Sequence, residues 1–172
     1  NVSIYACATT TGGMTIAPAQ GLKTTEAGGT ATFSVVLRTA PSANVTLTLA
    51  SRNTREGSVS PPVVTFTSLN WNVPKTVTLT GVDDAVDDGD VAYAVVATSV
   101  VSADPSYNNL VAPSVDLLNV DNDDSALVAN PGGGLVTTEA GGTATFTVAL
   151  NSQPTADVTL GFVSSNGREG SV

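Results

Sequence analysis

The stretch TTEAGGTATFSVVL (Thr24–Leu37) combines a glycine-containing turn sequence with a strand pattern. From Thr30 onward, apolar residues alternate with residues that mostly carry hydroxyl groups. A period of two is typical of a β-strand that buries one face. We therefore predict a half-buried strand over residues 30–37. Its apolar face consists of four residues: Ala31, Phe33, Val35 and Leu37.

The same stretch recurs 113 residues further along the chain. Residues 21–59 align with residues 134–172 without insertion or deletion, and 26 of the 39 aligned residues are identical. Both copies contain TTEAGGTATF and both end in REGSV. Identity at this level indicates a tandem duplication with a period of 113 residues.

The repeat predicts three parts in the chain. We expect residues 14–125 to form one complete domain and residues 126–172 to be the first part of a second repeat. Residues 1–13 are predicted to be a terminal strand or the last strand of a preceding repeat. Counterparts of residues 60–120 are missing from the second copy. We therefore expect that a longer polypeptide continues the array, or that a neighbouring subunit completes the half repeat head to tail.

Five more strands are predicted in the complete repeat, at residues 45–49, 63–67, 76–81, 91–98 and about 111–120. Proline, glycine, asparagine and aspartate separate them, and no segment has the pattern of an amphipathic helix. About seven short strands rich in Thr and Val in roughly 110 residues favour an Ig-like antiparallel β-sandwich with Greek-key connections.

The composition excludes several classes of protein. The chain has no histidine, so catalytic schemes and zinc sites that need imidazole are ruled out. A single cysteine, Cys7, permits no internal disulfide bond. The net charge of −9 would repel a phosphate backbone, which argues against a nucleic-acid partner. No apolar stretch reaches the length of about 18 residues that membrane insertion requires.

Acidic residues are concentrated in two short segments, GVDDAVDDGD (81–90) and NVDNDD (119–124), which hold eight of the 15 carboxylates. Each segment follows a predicted strand. Clustered carboxylates repel one another unless a cation neutralises them. Calcium prefers Asp, Asn and backbone oxygens in loops, whereas zinc and copper favour His and Cys. We expect calcium here; the alternative is a solvated acidic loop that keeps the protein soluble.

The chain resembles the Calx-beta domains, in the divergent form found as tandem arrays in bacterial surface and secreted proteins. The resemblance rests on TTEAGGTATFSVVL (24–37), VVTFTSLNWNVPKTVTLTGVDD (63–84), DGDVAYAVV (88–96) and NVDNDD (119–124), and restarts in residues 126–172. It implies a seven-stranded sandwich with calcium at one end. The implied metal ligands are Glu26, Asp83, Asp84, Asp88, Asp90, Asp121, Asp123 and Asp124.

A repeat without histidine and with few aromatic residues is typical of a structural spacer. We expect a non-catalytic, extracellular or cell-surface protein that forms a bacterial fibre, filament or adhesin stalk. Its partners would be neighbouring repeats or subunits head to tail, rigidified by calcium. A surface glycan or host ligand is left open.

Three alternatives remain at this stage. A carbohydrate-binding module would present a planar set of exposed aromatic side chains, but Trp71 and three tyrosines are scattered along the sequence. A calcium-sensing module of a larger secreted protein would use the same fold. An enzyme with paired carboxylates, as in glycosidases, would need an acid and a base at a fixed separation.

Overall fold

The computed structural model describes residues 13–172 of the chain. Apart from Gly13, the strand predicted for residues 1–13 lies outside the described residues, as does Cys7. The described chain divides into two compact units. The first comprises residues 13–84 and 89–122, and the second comprises residues 85–88 and 123–172.

The described residues form eleven strands and no α-helix. Nine strands lie in the first unit: β1 (Met14–Ala17), β2 (Leu22–Thr25), β3 (Thr30–Leu37), β4 (Val45–Ser51), β5 (Gly57–Ser60), β6 (Val63–Phe66), β7 (Lys75–Gly81), β8 (Val91–Ser102) and β9 (Val115–Val120). Two lie in the second unit: β10 (Leu127–Asn130) and β11 (Thr147–Leu150). No helix of this part of the chain is long and apolar enough to cross a membrane.

The first unit is an Ig-like β-sandwich of two sheets. One sheet has the order β1-β3-β7-β5, and the other has the order β2-β9-β8-β4-β6. Every pair is antiparallel except β2 with β9, which run parallel. The all-β sandwich predicted from the strand pattern is therefore confirmed, with one parallel pair that the pattern did not indicate.

The core lies between the two sheets and is built from alternate residues of their strands. On β3, Phe33, Val35 and Leu37 are buried, as the period-two pattern predicts, whereas Ala31 is only half-buried. Burial of one such large apolar side chain contributes about 1.5–3 kcal/mol. The other sheet supplies facing residues such as Leu47 and Phe66, which are fully enclosed.

Three strands of the first unit were not predicted: β1, β2 and β5. Each has only four residues and lies at the edge of its sheet. Four residues give barely one full alternation, and of the four strands of this length only β6 was predicted, within residues 63–67. The predicted strand at 111–120 begins only at Val115, and β8 runs four residues beyond its predicted end.

The second unit contains one antiparallel strand pair among its described residues. β10 and β11 pair from Leu127 opposite Leu150 to Asn130 opposite Thr147. Phe146 and Phe162 make an edge-to-face contact, with ring centroids 5.5 Å apart. Most of its side chains are exposed.

Candidate metal centre

Glu26 lies in the tight turn between β2 and β3 and is only 3% exposed. Its backbone N–H donates to the carbonyl of Val120, the last residue of β9, at 3.0 Å. Gly28 closes the turn in the left-handed region (φ 80°), and its N–H donates to the Thr25 carbonyl at 3.0 Å. The turn therefore fixes the Glu26 carboxyl group beside the end of β9.

Asp121 follows directly after β9 and faces Glu26. One carboxylate oxygen of each residue lies within 4.8 Å of the other. The backbone N–H of Asn122 donates to Oε2 of Glu26 at 3.3 Å. The structure thus brings together two predicted site residues that are 95 positions apart in the sequence.

The loop between β7 and β8 contributes further carboxylates of the first unit. Oδ1 of Asp90 accepts a hydrogen bond from the Asp121 backbone N–H at 3.2 Å, and Oδ2 of Asp121 accepts one from Gly89 N–H at 2.6 Å. Oδ1 of Asp83 accepts one from the Asn122 side-chain amide at 3.1 Å. Asp83 and Asp90 therefore converge with Asp121 at the same end of the sandwich.

The electrostatic environment of Glu26 is unfavourable for its charge. Desolvation by burial raises the pKa of Glu26 from 4.5 to about 7, although the hydrogen bond from Asn122 N–H lowers it. The negative charges of Asp121 and Asp84, and a hydrogen bond with Asp121, raise the pKa further. The charge of Asp84 therefore acts on Glu26 as well, and this end of the sandwich concentrates negative charge around a buried carboxyl group.

The remaining three predicted ligands, Asp88, Asp123 and Asp124, belong to the second compact unit. The backbone N–H of Asp88 donates to the Val86 carbonyl at 2.9 Å. The carbonyl of Asp124 accepts a hydrogen bond from the Asn151 side chain at 3.1 Å. Within the first unit, the predicted residues that converge are Glu26, Asp83, Asp84, Asp90 and Asp121.

A buried polar network lies behind this site and was not predicted. Thr24 Oγ1 donates to Asn119 Oδ1 at 2.9 Å and lies 3.2 Å from the Tyr93 hydroxyl. The Asn119 side-chain amide donates to Oε2 of Glu56 at 3.3 Å and to the Val82 carbonyl at 3.2 Å. The network joins the two sheets and holds the end of β9 in place.

Gly81 is required for this packing. A Cβ atom at this position would lie 2.1 Å from the Thr25 carbonyl oxygen and 2.5 Å from Oδ1 of Asn119. The close approach lets the Gly81 N–H donate to the Gly29 carbonyl at 3.0 Å. β7 therefore ends against the turn that carries Glu26.

Sequence reasoning also missed Asn122, which bonds both Glu26 and Asp83. Asn122 lies inside the quoted motif NVDNDD, and asparagine is a frequent calcium-loop residue, so that signal was available. Glu56 gave a weaker signal. Its segment REGSV is repeated at 168–172, but a duplicated sequence does not distinguish a buried acid from an exposed one.

The donor set fits calcium. All of the converging side-chain donors are oxygen atoms, as calcium prefers. Two ligands at about 2.4 Å from one calcium ion are at most about 5 Å apart. The separation within 4.8 Å between Glu26 and Asp121 meets that limit. A divalent cation would also offset the desolvation and repulsion that raise the pKa of Glu26.

The clearest cavities of the described chain lie elsewhere. One, of about 660 Å³, is in the second unit and includes Val86, Asp87 and residues 152–158 in its lining. Three smaller ones occur on the first unit, and neither Glu26 nor Asp121 lines any of the four.

No family model matches the chain, and no curated protein matches it. Several solved structures are similar in backbone arrangement. The apo form of the Calx CBD1 domain is 15% identical, and the match covers 64% of this chain and 96% of that one with a TM-score of 0.49. The periplasmic chaperone SfaE is 11% identical over 64% of this chain, which spans 58% of its length, with a TM-score of 0.49.

The complex of the chaperone CsuC with the tip adhesion subunit CsuE, from Csu pili of Acinetobacter baumannii, is also similar. Its identity is 13%, its coverage is 75% of this chain and 62% of that one, and its TM-score is 0.44. At these levels of similarity, the solved structures add no argument to the fold. The β-sandwich described above is established by the strand pairing of this chain itself.

Proposed function

We propose that the chain is a Calx-beta-like, non-catalytic structural repeat of an extracellular bacterial fibre, filament or adhesin stalk, rigidified by calcium. The observation that carries this proposal is the buried Glu26 carboxyl group facing Asp121 within 4.8 Å. Desolvation and the neighbouring negative charges disfavour the ionised form of Glu26 in the folded state. Calcium binding would neutralise the carboxylate charges and stabilise the contact between the β2–β3 turn and the end of β9.

Glu26 and Asp121 would hold the ion directly. Asp83, Asp84 and Asp90 would add negative charge around it and supply further oxygen atoms. The other three residues remain ligands predicted from the sequence: Asp88, Asp123 and Asp124. The bound ion would supply charge neutralisation and link three segments that meet only at this end of the sandwich.

The path of the chain through the first unit supports an array. β1 begins opposite the last residue of β3, because Met14 pairs with Leu37. β9 ends beside Glu26, which precedes the first residue of β3. The chain therefore enters the sandwich near one end of an eight-residue strand and leaves it near the other end, about 27 Å away. Modules of this type can be joined head to tail without doubling back.

An extracellular location is supported by the resemblance to surface-protein repeats and by the composition. Only six Lys and Arg occur in 172 residues, so trypsin-like proteases have few cleavage sites. A spacer outside the cell benefits from that scarcity.

A thermal melt tests the calcium part of the proposal. In calcium at about 100 times its dissociation constant, mass action stabilises the fold by about 2.7 kcal/mol, which raises Tm by roughly 10 °C. Asp121→Asn should remove most of the difference between calcium and chelator. Asp116→Asn is the matched control, because Asp116 is an exposed aspartate on β9, the strand that Asp121 follows. Equal melts of the unaltered chain with calcium and with chelator would contradict the proposal.

A glycan-binding role has less support. Trp71 is half-buried and packs against the core, and its carbonyl accepts the Leu37 N–H at 3.1 Å. Tyr93 and Tyr107 are buried. Trp71, Tyr93 and Tyr107 thus serve the packing of the first unit.

A glycosidase-like pair is the second candidate, because Glu26 has a raised pKa beside another carboxylate. Activity on glycosides that Glu26→Gln abolishes would support this enzyme. We favour calcium because one oxygen of each carboxyl group lies within 4.8 Å of the other, which is close enough for both to bind one ion.

A further inference from the structure

The side chains of Thr24 and Asn119 form a buried pair between the first and the last strand of the five-stranded sheet. The two residues are register partners in the parallel pairing of β2 with β9, and each is only 1% exposed. Thr24 Oγ1 donates to Asn119 Oδ1 at 2.9 Å. At that distance the hydroxyl oxygen lies about 3.2–3.7 Å from the amide carbon, close to the separation of about 3–3.5 Å in near-attack conformers. A hydroxyl nucleophile therefore lies beside a carbonyl carbon in a site shielded from water.

The amide group of Asn119 is held in one orientation. Its Nδ2 donates to Glu56 Oε2 at 3.3 Å and to the Val82 carbonyl at 3.2 Å, so both of its hydrogens are used. Gly81 packs closely against the amide oxygen, because a Cβ atom at Gly81 would lie 2.5 Å from Oδ1. The carbonyl side of the amide therefore faces Thr24, and the nitrogen side faces the carboxyl group of Glu56.

Two neighbouring groups provide a path for the hydroxyl proton. The Tyr93 hydroxyl lies 3.2 Å from Thr24 Oγ1 and can accept its proton. Burial raises the pKa of Tyr93, the hydrogen bond with Thr24 lowers it, and the charge of Glu56 raises it further. Tyr93 therefore keeps its own proton at neutral pH and lies within electrostatic reach of Glu56. The Glu56 carboxyl group, which is 5% exposed, in turn contacts the Asn119 nitrogen.

We propose that Thr24 and Asn119 react with each other to form an intramolecular ester cross-link between β2 and β9, with release of ammonia. The bond from Thr24 Oγ1 to Asn119 Cγ forms, and the Cγ–Nδ2 bond breaks. The proton that leaves Oγ1 passes through Tyr93 to Glu56, which adds it to Nδ2. The products are one ester and one ammonia molecule, and the step needs no oxidant, reductant or co-reactant.

The folded first unit favours a reaction that the same two groups do not undergo in free solution. Well-oriented groups within one molecule reach effective concentrations of about 10⁵–10⁸ M. Released ammonia is diluted into the solvent, and the burial of both side chains keeps water from the ester. Thr137, the equivalent of Thr24 in the second copy, is exposed and lacks this environment.

The cross-link would change how a stalk carries tension. β2 comes first and β9 last among the strands of their sheet. Tension that enters before β2 and leaves after β9 would therefore pass through the ester, and residues 25–118 between the two linked positions would be shielded from it. This activity goes beyond the proposed structural role and does not depend on calcium.

Mass spectrometry of the full 172-residue chain, prepared in chelator, tests the inference. The intact chain should be lighter than its sequence mass by one ammonia molecule. Trypsin cleaves after Lys and Arg, so a digest should contain residues 24–38 joined to residues 76–168. Mild alkali should separate the two peptides, because it hydrolyses esters faster than amides. An unaltered chain at its sequence mass, with the two peptides recovered separately, would overturn the inference.

A pair of matched substitutions assigns the cross-link to the buried hydroxyl group. Thr24→Val keeps the shape of the side chain but removes the nucleophile, so the joined peptides should disappear. Thr137→Val makes the same change at the exposed equivalent and should leave the peptides joined. Persistence of the joined peptides in Thr24→Val would also overturn the inference.

Glu56→Gln tests the path of the proton. Glutamine keeps an acceptor oxygen for Asn119 Nδ2 but cannot carry the proton, so the joined peptides should form at least tenfold more slowly in newly synthesised protein. An equal rate of formation would contradict the role of Glu56 in the reaction. Because chelator is present throughout, failure of calcium binding alone would leave all of these results as predicted.

Discussion

Residues 24–33 and residues 137–146 have the same ten-residue sequence, TTEAGGTATF, but different surroundings. In the first unit, Phe33 is 2% exposed and Glu26 is buried. In the second unit, Phe146 is 41% exposed and Glu139 is exposed. The same residues therefore belong to a closed core in one case and to an open surface in the other.

The local turn is identical in both copies. The Gly29 N–H donates to Thr25 Oγ1 at 3.1 Å, and the Gly142 N–H donates to Thr138 Oγ1 at the same distance. The glycines that precede them both adopt left-handed φ values, of 80° and 85°. The pairing of β10 with β11 also repeats the register of β1 with β3 at the 113-residue offset.

The strands differ because their partners differ. β3 spans eight residues and pairs with β7 on its second edge, whereas β11 spans only four and pairs with β10 alone among the described residues. The counterpart of β2, at residues 135–138, is not a strand, and the second unit contains no counterpart of β9. The comparison teaches that the sequence encodes the turn locally, whereas strand length and burial require partner strands.

The largest expected effect comes from supplying the missing partners. A fusion that adds a second copy of residues 60–125 after Val172 should extend β11 to residues 143–150 and bury Phe146. Amide exchange over residues 143–150 should slow by several orders of magnitude, because these amides become protected by global rather than local stability. Unchanged exchange would mean that the second copy differs intrinsically from the first.

A matched pair of alanine substitutions sharpens the comparison. Phe33→Ala should destabilise the first unit by about 3–5 kcal/mol, as expected for a buried aromatic residue. Phe146→Ala should cost about 1 kcal/mol or less, since it removes mainly the contact with Phe162. Chemical denaturation measures the first effect, and amide exchange near β11 measures the second. Equal losses would show that Phe146 is as well packed as Phe33.

The third expected effect is a pH dependence of the stability of the first copy, which the second copy should not show. The folded state raises the pKa of Glu26 from 4.5 to about 7 and so binds its proton more tightly than the unfolded chain does. This stability is fully present below pH 4.5 and is lost as the pH rises through about 7. Without calcium, Tm of the first unit should therefore fall between pH 5 and pH 8.

Glu26→Gln should remove this fall in Tm, because glutamine keeps the shape but does not ionise. Glu139→Gln, at the exposed counterpart, should preserve it. A fall that persists in Glu26→Gln would assign the pH dependence to another group.

The smallest expected effect is also the one that both copies should share. Gly28→Ala and Gly141→Ala each force an L-residue into the left-handed region, at a cost of about 1–2 kcal/mol. Neither position has a neighbour within 4 Å of an added Cβ atom, so the cost is purely conformational. Exchange of the Gly29 and Gly142 amides should rise by similar factors. A clear difference would show that the turn depends on its surroundings.

Much of the fold was predictable because most strands of the first unit have a buried face. β3 and β7 show it as alternation, with Phe33 and Leu79 on the core side, and their bounds differ from the prediction by at most one residue. The edge strands β1, β2 and β5 were not predicted, because four residues carry little pattern, and among the strands of this length only β6 was predicted. The parallel pairing of β2 with β9 depends on contacts across 95 residues, which no local sequence pattern reports.

The candidate site was predicted in part for a similar reason. The resemblance to the Calx-beta domains implied that Asp83, Asp90 and Asp121 lie at one end of the sandwich, where the structure brings them together. The burial of Glu26 follows from the turn and from β9, and the sequence TTEAGG alone does not reveal it, as the exposed Glu139 demonstrates. The buried network of Asn119 and Glu56 likewise depends on the close approach at Gly81.

Calcium titration calorimetry on matched variants tests the central claim most directly. We predict that the unaltered chain and Glu139→Gln bind calcium with the same affinity, because Glu139 has no counterpart of Asp121 in the second unit. Glu26→Gln should weaken binding at least tenfold, since it removes a direct charged ligand. Equal calcium affinity for Glu26→Gln and the unaltered chain, or no binding to the unaltered chain, would contradict the account.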